Sequence, residues 1–314
     1  MYKGNVTVFA KISLLVVTVI LVGILAVSLF LNISHSVKLL KTIGFLHKEL
    51  DSGFTNVNYQ MQLDENNLFV IEADKAKQIT ENLVFFDNIK ARTVVGDVDF
   101  SAKADTGNFD EIIKLFILNN NVTINYFANL SKSEEVRINV VKQEVLFPVR
   151  VNISSEGYNF TADFLKYDVA NKQLIEARNS DYLDILTKDR VQAELVLGDK
   201  SDANLLTASN ARLTNDDMIL TGKNFLIRLI DNKQIENINA SGDIKMVNPK
   251  YKITSEKLFY DPKLATIKFM HDVILLTDGG EVRGEQLVYD MKADMARFVN
   301  DGDKRIKVKI NKLQ

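Results

Sequence analysis

Three acidic residues recur in one local context and are the first candidates for chemistry. Asp163, Glu256 and Glu285 each follow a small residue and precede an x-Leu-x-Tyr-Asp segment. Two carboxylates that converge in a fold can act as general acid and general base. An acid at the identical position of every copy is more typical of a structural corner, which favours a structural role over a catalytic pair.

Other residue types give no catalytic or metal site. The histidines are His35, His47 and His271, and they show no metal-ligand spacing with carboxylates. Asp97-Val98-Asp99 could contact calcium, but no EF-hand spacing follows, which favours a turn. The chain has no cysteine, which excludes disulfides and thiol nucleophiles. We predict no catalytic residue, metal or cofactor; an enzyme whose carboxylates converge only in the fold remains an alternative.

Composition and charge indicate a packed protein without a nucleic-acid partner. Hydrophobic residues make up 46% of the chain and charged residues 25%, which is typical of a folded body. The 39 basic and 41 acidic residues are interspersed, and the net charge is −2. Because the sequence contains no basic stripe, it predicts no nucleic-acid binding.

An uncharged apolar run near the N-terminus predicts a membrane anchor. No residue from Ile12 to Leu31 is charged, and about twenty helical residues span roughly 30 Å, the thickness of a bilayer core. The run is longer than the apolar region of a cleaved signal peptide and lacks a good cleavage site after it. We predict an uncleaved transmembrane helix within residues 1–33. Residues 34–53 are predicted as an amphipathic connector, either a separate helix or a continuation of the anchor helix.

Beyond residue 54 the pattern is typical of antiparallel β-structure. Short runs rich in Val, Ile, Phe and Tyr alternate with clusters of Asn, Asp and Gly at intervals of about 8–12 residues. Residues 109–118 fit either a helix or a strand. The polar stretch 198–204 predicts a boundary between a β-domain at 54–198 and a second β-domain at 203–314.

An internal repeat is the strongest long-range signal. Three segments align without a gap, and they end at Tyr167-Asp168, Tyr260-Asp261 and Tyr289-Asp290. Weaker copies begin at Ile71 and Leu206. A repeated unit of this size cannot bury its apolar face alone, so the copies are expected to stack into one structure.

The repeat unit predicts a strand with a corner in its middle. In the last copy each of two apolar pairs is spaced by two, Val282 with Gly284 and Leu287 with Tyr289. A step of three separates the pairs, so a bulge or corner at Glu285-Gln286 keeps both pairs on one side. The small residue makes room at the corner, and the Asp after Tyr opens a turn. The sequence therefore predicts an elongated, mostly β, antiparallel structure with an apolar inside.

At this repeat the sequence resembles the OstA-like superfamily of bacterial lipopolysaccharide-transport proteins. A stretch from about 203 to 310 resembles the LptA-type bridge protein, and the segments that carry the resemblance are 240–246, 253–260 and 282–289. The predicted anchor followed by segments 71–77 and 161–168 is similar to the LptC type. The resemblance implies an LptC-like β-domain followed by an LptA/OstA-like β-domain, as one β-jellyroll or two stacked β-domains.

The resemblance implies a lipid conduit rather than an enzyme. The chain would be held in the inner membrane by a single pass, with its bulk in the periplasm. It would pass lipopolysaccharide or a similar amphiphile along an apolar β-groove, with energy from an inner-membrane ABC transporter complex. The expected groove residues are Leu165, Tyr167, Phe225, Ile227, Leu229, Leu258, Tyr260, Leu287 and Tyr289. The alternative is a membrane-tethered structural or adhesive β-protein in which these residues form a closed core.

The last strand is predicted to lie at an edge of the sheet. Residues 305–310 alternate strictly, with Ile306, Val308 and Ile310 on one face and basic residues on the other. Lysines are a common protection of an exposed edge against unwanted pairing. The resemblance implies that this strand pairs with a periplasmic or outer-membrane jellyroll by β-augmentation; the alternative is an edge that pairs with nothing.

Overall fold

The computed structural model describes residues 53–62, 68–95, 98–126, 129–139, 142, 144–168, 171, 173–186, 188–214, 217–230, 234–299 and 306–310. The predicted anchor, and all of the predicted connector except Gly53, lie outside these residues. Within the described residues, no helix is long and apolar enough to cross a membrane.

The described residues form β-strands and turns, which confirms the prediction of a mostly β, antiparallel fold. The strands are β1 (Phe54–Gln62), β2 (Leu68–Thr80), β3 (Leu83–Val95), β4 (Val98–Asp110), β5 (Leu115–Tyr126), β6 (Asn129–Asn139), β7 (Glu144–Phe147), β8 (Val151–Ser154), β9 (Tyr158–Ala162), β10 (Phe164–Asp168), β11 (Gln173–Asp184), β12 (Arg190–Asp199), β13 (Asp202–Thr214), β14 (Ile219–Ile230), β15 (Gln234–Val247), β16 (Lys252–Asp261), β17 (Thr266–Thr277), β18 (Gly280–Asp290), β19 (Met295–Phe298) and β20 (Lys307–Ile310).

The described residues belong to two compact units. Unit 1 contains Gly157–Phe160 and the residues from Ala177 onward, and unit 2 contains the residues up to Glu156 together with Thr161–Glu176. The polar stretch 198–204 lies within unit 1, where it forms the turn of the β12–β13 hairpin. The division into domains at 54–198 and 203–314 remains a prediction.

Successive strands pair as antiparallel hairpins within each unit. In unit 1 the pairing runs in chain order from β12 to β18, and β18 pairs with β19 along one part and with β20 along another. In unit 2 it runs in chain order from β1 to β6; β6 then pairs with β7 and β8, and β7 pairs with β10. Residues 109–118 therefore form the end of β4, a turn and the start of β5.

A register shift divides the long strands of unit 1 into two arms. Between β17 and β18, two residues, His271 and Asp272, lie opposite the single residue Glu285. Both have left-handed backbones, with φ of 61° and 49°. The corner thus lies where the repeat predicts it, but the extra residue is in the return strand rather than at Glu285-Gln286. An extra residue bends its strand and increases the local twist.

The two arms are named for the strands of unit 1 as follows. The A arms are 219–222 of β14, 244–247 of β15, 252–255 of β16, 273–277 of β17 and 280–284 of β18; the B arms are 224–230, 234–241, 257–261, 266–270 and 286–290 of the same strands.

Small residues make room at the corner. A Cβ atom on Gly284 would lie 2.6 Å from the ring of Phe298, and one on Gly222 would lie 2.6 Å from Ile244 Cδ1. Ser255 occupies the equivalent position in β16, where its hydroxyl donates a 2.9 Å hydrogen bond to the Lys257 carbonyl. This bond ties the end of the A arm to the start of the B arm.

The Asp of each repeat opens a turn by accepting backbone hydrogen bonds. Asp261 Oδ1 accepts the N–H groups of residues 263 and 264 at 2.9 and 3.1 Å, and Asp290 Oδ1 accepts those of 292 and 293 at 2.9 Å. Asp110 makes the same pair of bonds in unit 2. Asp side chains favour such turns because they mimic a backbone carbonyl.

Candidate functional site

The interior of unit 1 is lined by the repeat positions of neighbouring strands. Leu258, Phe269 and Leu287 form one cross-strand row of the B arms and are 1%, 0% and 0% exposed. Tyr260 and Tyr289 lie on either side of Ile267 in the next row. All belong to one buried hydrophobic cluster. The equivalence of the repeat positions in sequence is therefore an equivalence in space.

The A arms contribute an opposing set of apolar residues to the same cluster. Ile253 and Leu275 are in register and buried, and Val282 is in register with Leu275 and partly buried. The predicted groove residues include none from the A arms and none from the return strand β17, although the repeat placed Val282 on the same side as Leu287. The alternation of Ile267 with Phe269, and of Val273 with Leu275, is the signal that could have identified those of β17.

The nine predicted groove residues fall in two places. Phe225, Leu229, Leu258, Tyr260, Leu287 and Tyr289 are buried in the unit 1 cluster, and Ile227 is partly buried against it. Leu165 and Tyr167 are buried in unit 2, where they are in register with Phe147 and Val145. These two residues therefore belong to the other unit, outside the cluster that the rest share.

The A and B arms of unit 1 fold over each other. Tyr251 comes just before the A arm of β16, whereas Tyr289 lies at the far end of the B arm of β18. β16 alone has 10 residues, each of which advances an extended strand by about 3.3 Å. The rings of Tyr251 and Tyr289 are nevertheless 6.2 Å apart between centroids, in an edge-to-face arrangement. The strand must double back at its corner, so the apolar faces of both arms line one interior.

Polar groups surround this contact. The Asn248 amide donates a hydrogen bond of 3.2 Å to the Tyr289 hydroxyl, which donates one of 2.8 Å to Asp294 Oδ1. The Lys250 ammonium forms an ion pair with Asp294. Burial raises the pKa of Tyr289, and its bond to Asp294 raises it further. The bond from Lys250 lowers the pKa of the Asp294 carboxyl.

The tyrosines of the other two strong repeat copies are also buried. Burial first, and the adjacent carboxylate second, raise the pKa of Tyr167 and of Tyr260. Among the described residues, nothing forms a hydrogen bond with the buried Tyr167 hydroxyl. A buried hydroxyl without a partner is energetically unfavourable, so Tyr167 contributes through its ring rather than its oxygen.

The repeated acids do not converge. Glu256 and Glu285 lie on strands separated by β17, which places their backbones roughly 10 Å apart at ordinary strand spacing. Glu285 contacts His271 Nδ1 at 3.0 Å, and in unit 2 Asp163 forms an ion pair with Arg150 at 3.3 Å. Among the described residues, no group of three or more His, Asp or Glu residues is placed to hold a metal ion.

The C-terminal strand β20 is largely exposed and pairs with β18. Val308 is in register with Val282 and is 63% exposed, and Ile306 is also exposed. Ile310 is in register with Gly280. The structure thus accounts for one edge of β20, and its use by a partner stays a prediction.

These features define the class of structure: antiparallel hairpins folded at a corner around an apolar interior. Residues 190–295 match the family model described as LptA/(LptD N-terminal domain) LPS transport protein. This part of the chain is therefore similar to a family of lipopolysaccharide-transport proteins, in agreement with the resemblance at the repeat. The description of the matched family is that of a transport protein.

A similar solved structure is the crystal structure of LptH, described as the LptA homologous periplasmic component of the conserved lipopolysaccharide transport device from Pseudomonas aeruginosa. It is 17% identical, and the alignment covers 39% of this chain and 94% of that chain with a TM-score of 0.33. No curated protein matches the sequence.

Proposed function

We propose that this chain is a component of lipopolysaccharide transport that holds acyl chains of lipopolysaccharide, or of a similar amphiphile, in the apolar interior of unit 1. The observation that carries the proposal is the shared interior formed by equivalent repeat positions, Leu258 with Leu287 and Tyr260 with Tyr289. These residues lie within the segment that matches the transport family. Each acyl methylene buried there would contribute about 0.8 kcal/mol.

The proposal includes a place in the cell and a set of partners. The anchor at residues 12–31 would hold the chain in the inner membrane with its bulk in the periplasm. An inner-membrane ABC transporter complex would supply energy, and a periplasmic or outer-membrane jellyroll would receive the lipid. Fractionation of the full chain with membranes, and an N-terminal sequence that includes Ile12, are the expected results for the anchor.

Lipid binding requires the interior to open. Leu258, Phe269 and Leu287 are shielded from water by one another and by the A arms. An acyl chain must therefore displace contacts between the arms rather than fill an open slot. The contacts that the acyl chain forms would replace contacts that it breaks between the arms.

Photo-crosslinking at matched inward and outward positions tests the proposal. A diazirine amino acid at Leu258 or Leu287 faces the interior, whereas one at the exposed Lys257 faces outward on the same arm. In cells that make lipopolysaccharide, adducts are expected at residues 258 and 287 and not at 257. Equal yields at 257 and 258, or no adduct at any of them, would contradict the proposal.

The shielded interior also favours a second candidate, a membrane-tethered structural or adhesive protein with a permanently closed core. Both candidates place the same residues inside. They differ in whether the core ever admits a ligand, so the absence of any lipid adduct in a folded protein would favour the second candidate.

A further inference from the structure

The polar contacts around Tyr289 lie where two edges of unit 1 meet. We call these edges the lips: one is formed by A arms and the other by B arms. Asn248, Lys250 and Tyr251 belong to the turn between β15 and β16, which joins two A arms. Tyr289 and Asp294 belong to the end of β18 and the turn that follows it, at the tip of a B arm. The contacts therefore join A arms to B arms at the side of the interior opposite the corner.

Two of these residues also contact the apolar cluster. Tyr289 is a member of the cluster and Tyr251 packs against it. The Tyr289 hydroxyl belongs to the lip of the B arms and links it to the other lip, because it accepts a hydrogen bond from Asn248; within its own lip it donates to Asp294. Lys250 forms a second link, to Asp294.

We propose that Asn248, Lys250, Tyr251, Tyr289 and Asp294 form a latch, and that its release lets an amphiphile pass sideways between the A and B arms into the interior of unit 1. This inference rests on the proposed function, because it concerns how the ligand reaches the same interior. It makes Tyr289 both a lining residue and the residue that closes the interior.

The chemistry of the latch suits a reversible closure. The Lys250 and Asp294 side chains are 60% and 42% exposed, so water competes for both ends of their ion pair. A hydrogen bond from the Asn248 amide to the Tyr289 hydroxyl also joins the lips. By contrast, the two arms are covalently continuous at the corner, where the Ser255 bond also ties the arms of β16 together. The contacts across the lips are therefore weaker than the connections at the corner.

A reversible cross-link across the lips tests the latch. The chain contains no cysteine, so the double variant Lys250→Cys with Asp294→Cys offers a single pair of thiols to a short bis-methanethiosulfonate reagent. The full chain is reconstituted in nanodiscs and mixed with purified lipopolysaccharide. Uptake is read as the rate of adduct formation at a diazirine amino acid in place of Leu258.

Cross-linking is expected to lower the rate of uptake at least tenfold, and reduction of the reagent to restore it. Each single cysteine variant, treated with the same reagent, controls for modification alone. Tyr289→Phe, which removes the hydroxyl but keeps the ring, is expected to take up lipid faster than the original chain. A cross-linked protein that takes up lipid at the uncross-linked rate overturns the latch.

The outcome separates the latch from the proposed function. If the unmodified chain forms no adduct with lipopolysaccharide, the proposed function fails. If it forms adducts and neither the cross-link nor Tyr289→Phe changes their rate, the proposed function stands and the latch is wrong.

Discussion

Tyr260 and Tyr289 flank Ile267 in a single row of the sheet, one on each neighbouring strand. In this part of the chain one repeat therefore corresponds to one hairpin: the motif occupies β16 and β18, and the return strand β17 lies between the two copies. The same arrangement puts Glu256 and Glu285 at the corner, two strands apart. A repeat of carboxylates thus builds an outer corner, while the repeat of Leu and Tyr builds the interior.

A charge placed in the interior is expected to abolish lipid binding. Leu258→Asp and Leu287→Asp each put a carboxylate where the side chain is shielded from water, which is costly without a partner. Crosslinking of lipopolysaccharide from a diazirine amino acid at Phe269 is the measurement.

Two controls separate loss of binding from loss of folding. Leu287→Ala should lose about 2–5 kcal/mol of stability through a cavity but retain lipid adducts, and Lys257→Asp changes an exposed charge next to Leu258. A folded Asp variant, by circular dichroism, with the adduct yield of the original chain would exclude the interior as the binding site.

Removal of the hydroxyl should affect two repeat tyrosines differently. Tyr289→Phe loses two hydrogen bonds and is expected to lower the free energy of unfolding by about 1 kcal/mol. Tyr167→Phe removes a buried hydroxyl without a hydrogen-bond partner among the described residues, so stability should be unchanged or higher. Urea unfolding of both variants measures the difference. Equal losses would show that the Tyr289 bonds contribute nothing specific.

The Asp294 contacts should make stability depend on pH at the acid end. Its folded pKa is lowered, chiefly by the hydrogen bond from Lys250, relative to about 3.9 in the unfolded chain. The contribution of a group with a lowered pKa is present above the unfolded value and is lost as pH falls through the folded value.

At the alkaline end, the dependence of stability on pH has the opposite sign. The hydrogen bond to Asp294 raises the pKa of Lys250. The stabilising contribution of Lys250 is therefore present below about pH 10.4 and is lost as pH rises through its folded pKa.

The stability difference between the original chain and Asp294→Asn should be constant at neutral pH and shrink below about pH 4. Urea unfolding at several pH values measures it, and a difference that persists at acid pH would contradict this assignment.

The sequence was sufficient to predict features that depend on residues within one strand, but not how the strands fold around the interior. The x-Leu-x-Tyr-Asp unit identified the apolar pairs, the corner and the turn, because these depend on residues within one strand. The extra residue at His271-Asp272 was missed, since it lies in the return strand, which the repeat does not include.

The candidate site was predictable on one arm only. Tyr289 was identified from its repeat position, but its partner Asn248 is 41 residues away, and nothing in the local pattern links them. The contact exists because the strands double back, which is a property of the stacked sheet. Leu165 and Tyr167 show the converse: they belong to a copy of the same motif, but they lie in the other compact unit.

Glycine at a crowded corner should tolerate no side chain. In unit 2, a Cβ on Gly107 would lie 2.8 Å from the Ile117 carbonyl oxygen and 2.5 Å from Ile89 Cδ1. The backbone oxygen cannot rotate away, so Gly107→Ala is expected to cost about 1–3 kcal/mol. Gly157→Ala is the matched control, because a Cβ there meets nothing within 4 Å. Thermal unfolding should separate the two variants, and similar midpoints would contradict the crowding.

The C-terminal strand gives a test of partner docking. β20 pairs antiparallel with the A arm of β18, and successive N–H groups of a strand point alternately to its two sides. Of Val308 and Lys309, one therefore donates toward β18 and the other away from it. We expect the outward edge to pair with a partner jellyroll by β-augmentation, as the resemblance implies.

Proline substitution at both positions distinguishes the two edges, because proline removes one backbone donor. We expect Val308→Pro to block crosslinking to the partner while hydrogen exchange shows that the amides of Gly280 to Arg283 stay protected. Lys309→Pro, the matched variant, should then loosen β20 from β18; the reverse assignment would identify Lys309 as the outward donor. If both variants crosslink to the partner as well as the original chain does, β20 is not a docking strand, and its lysines protect an edge that remains unpaired.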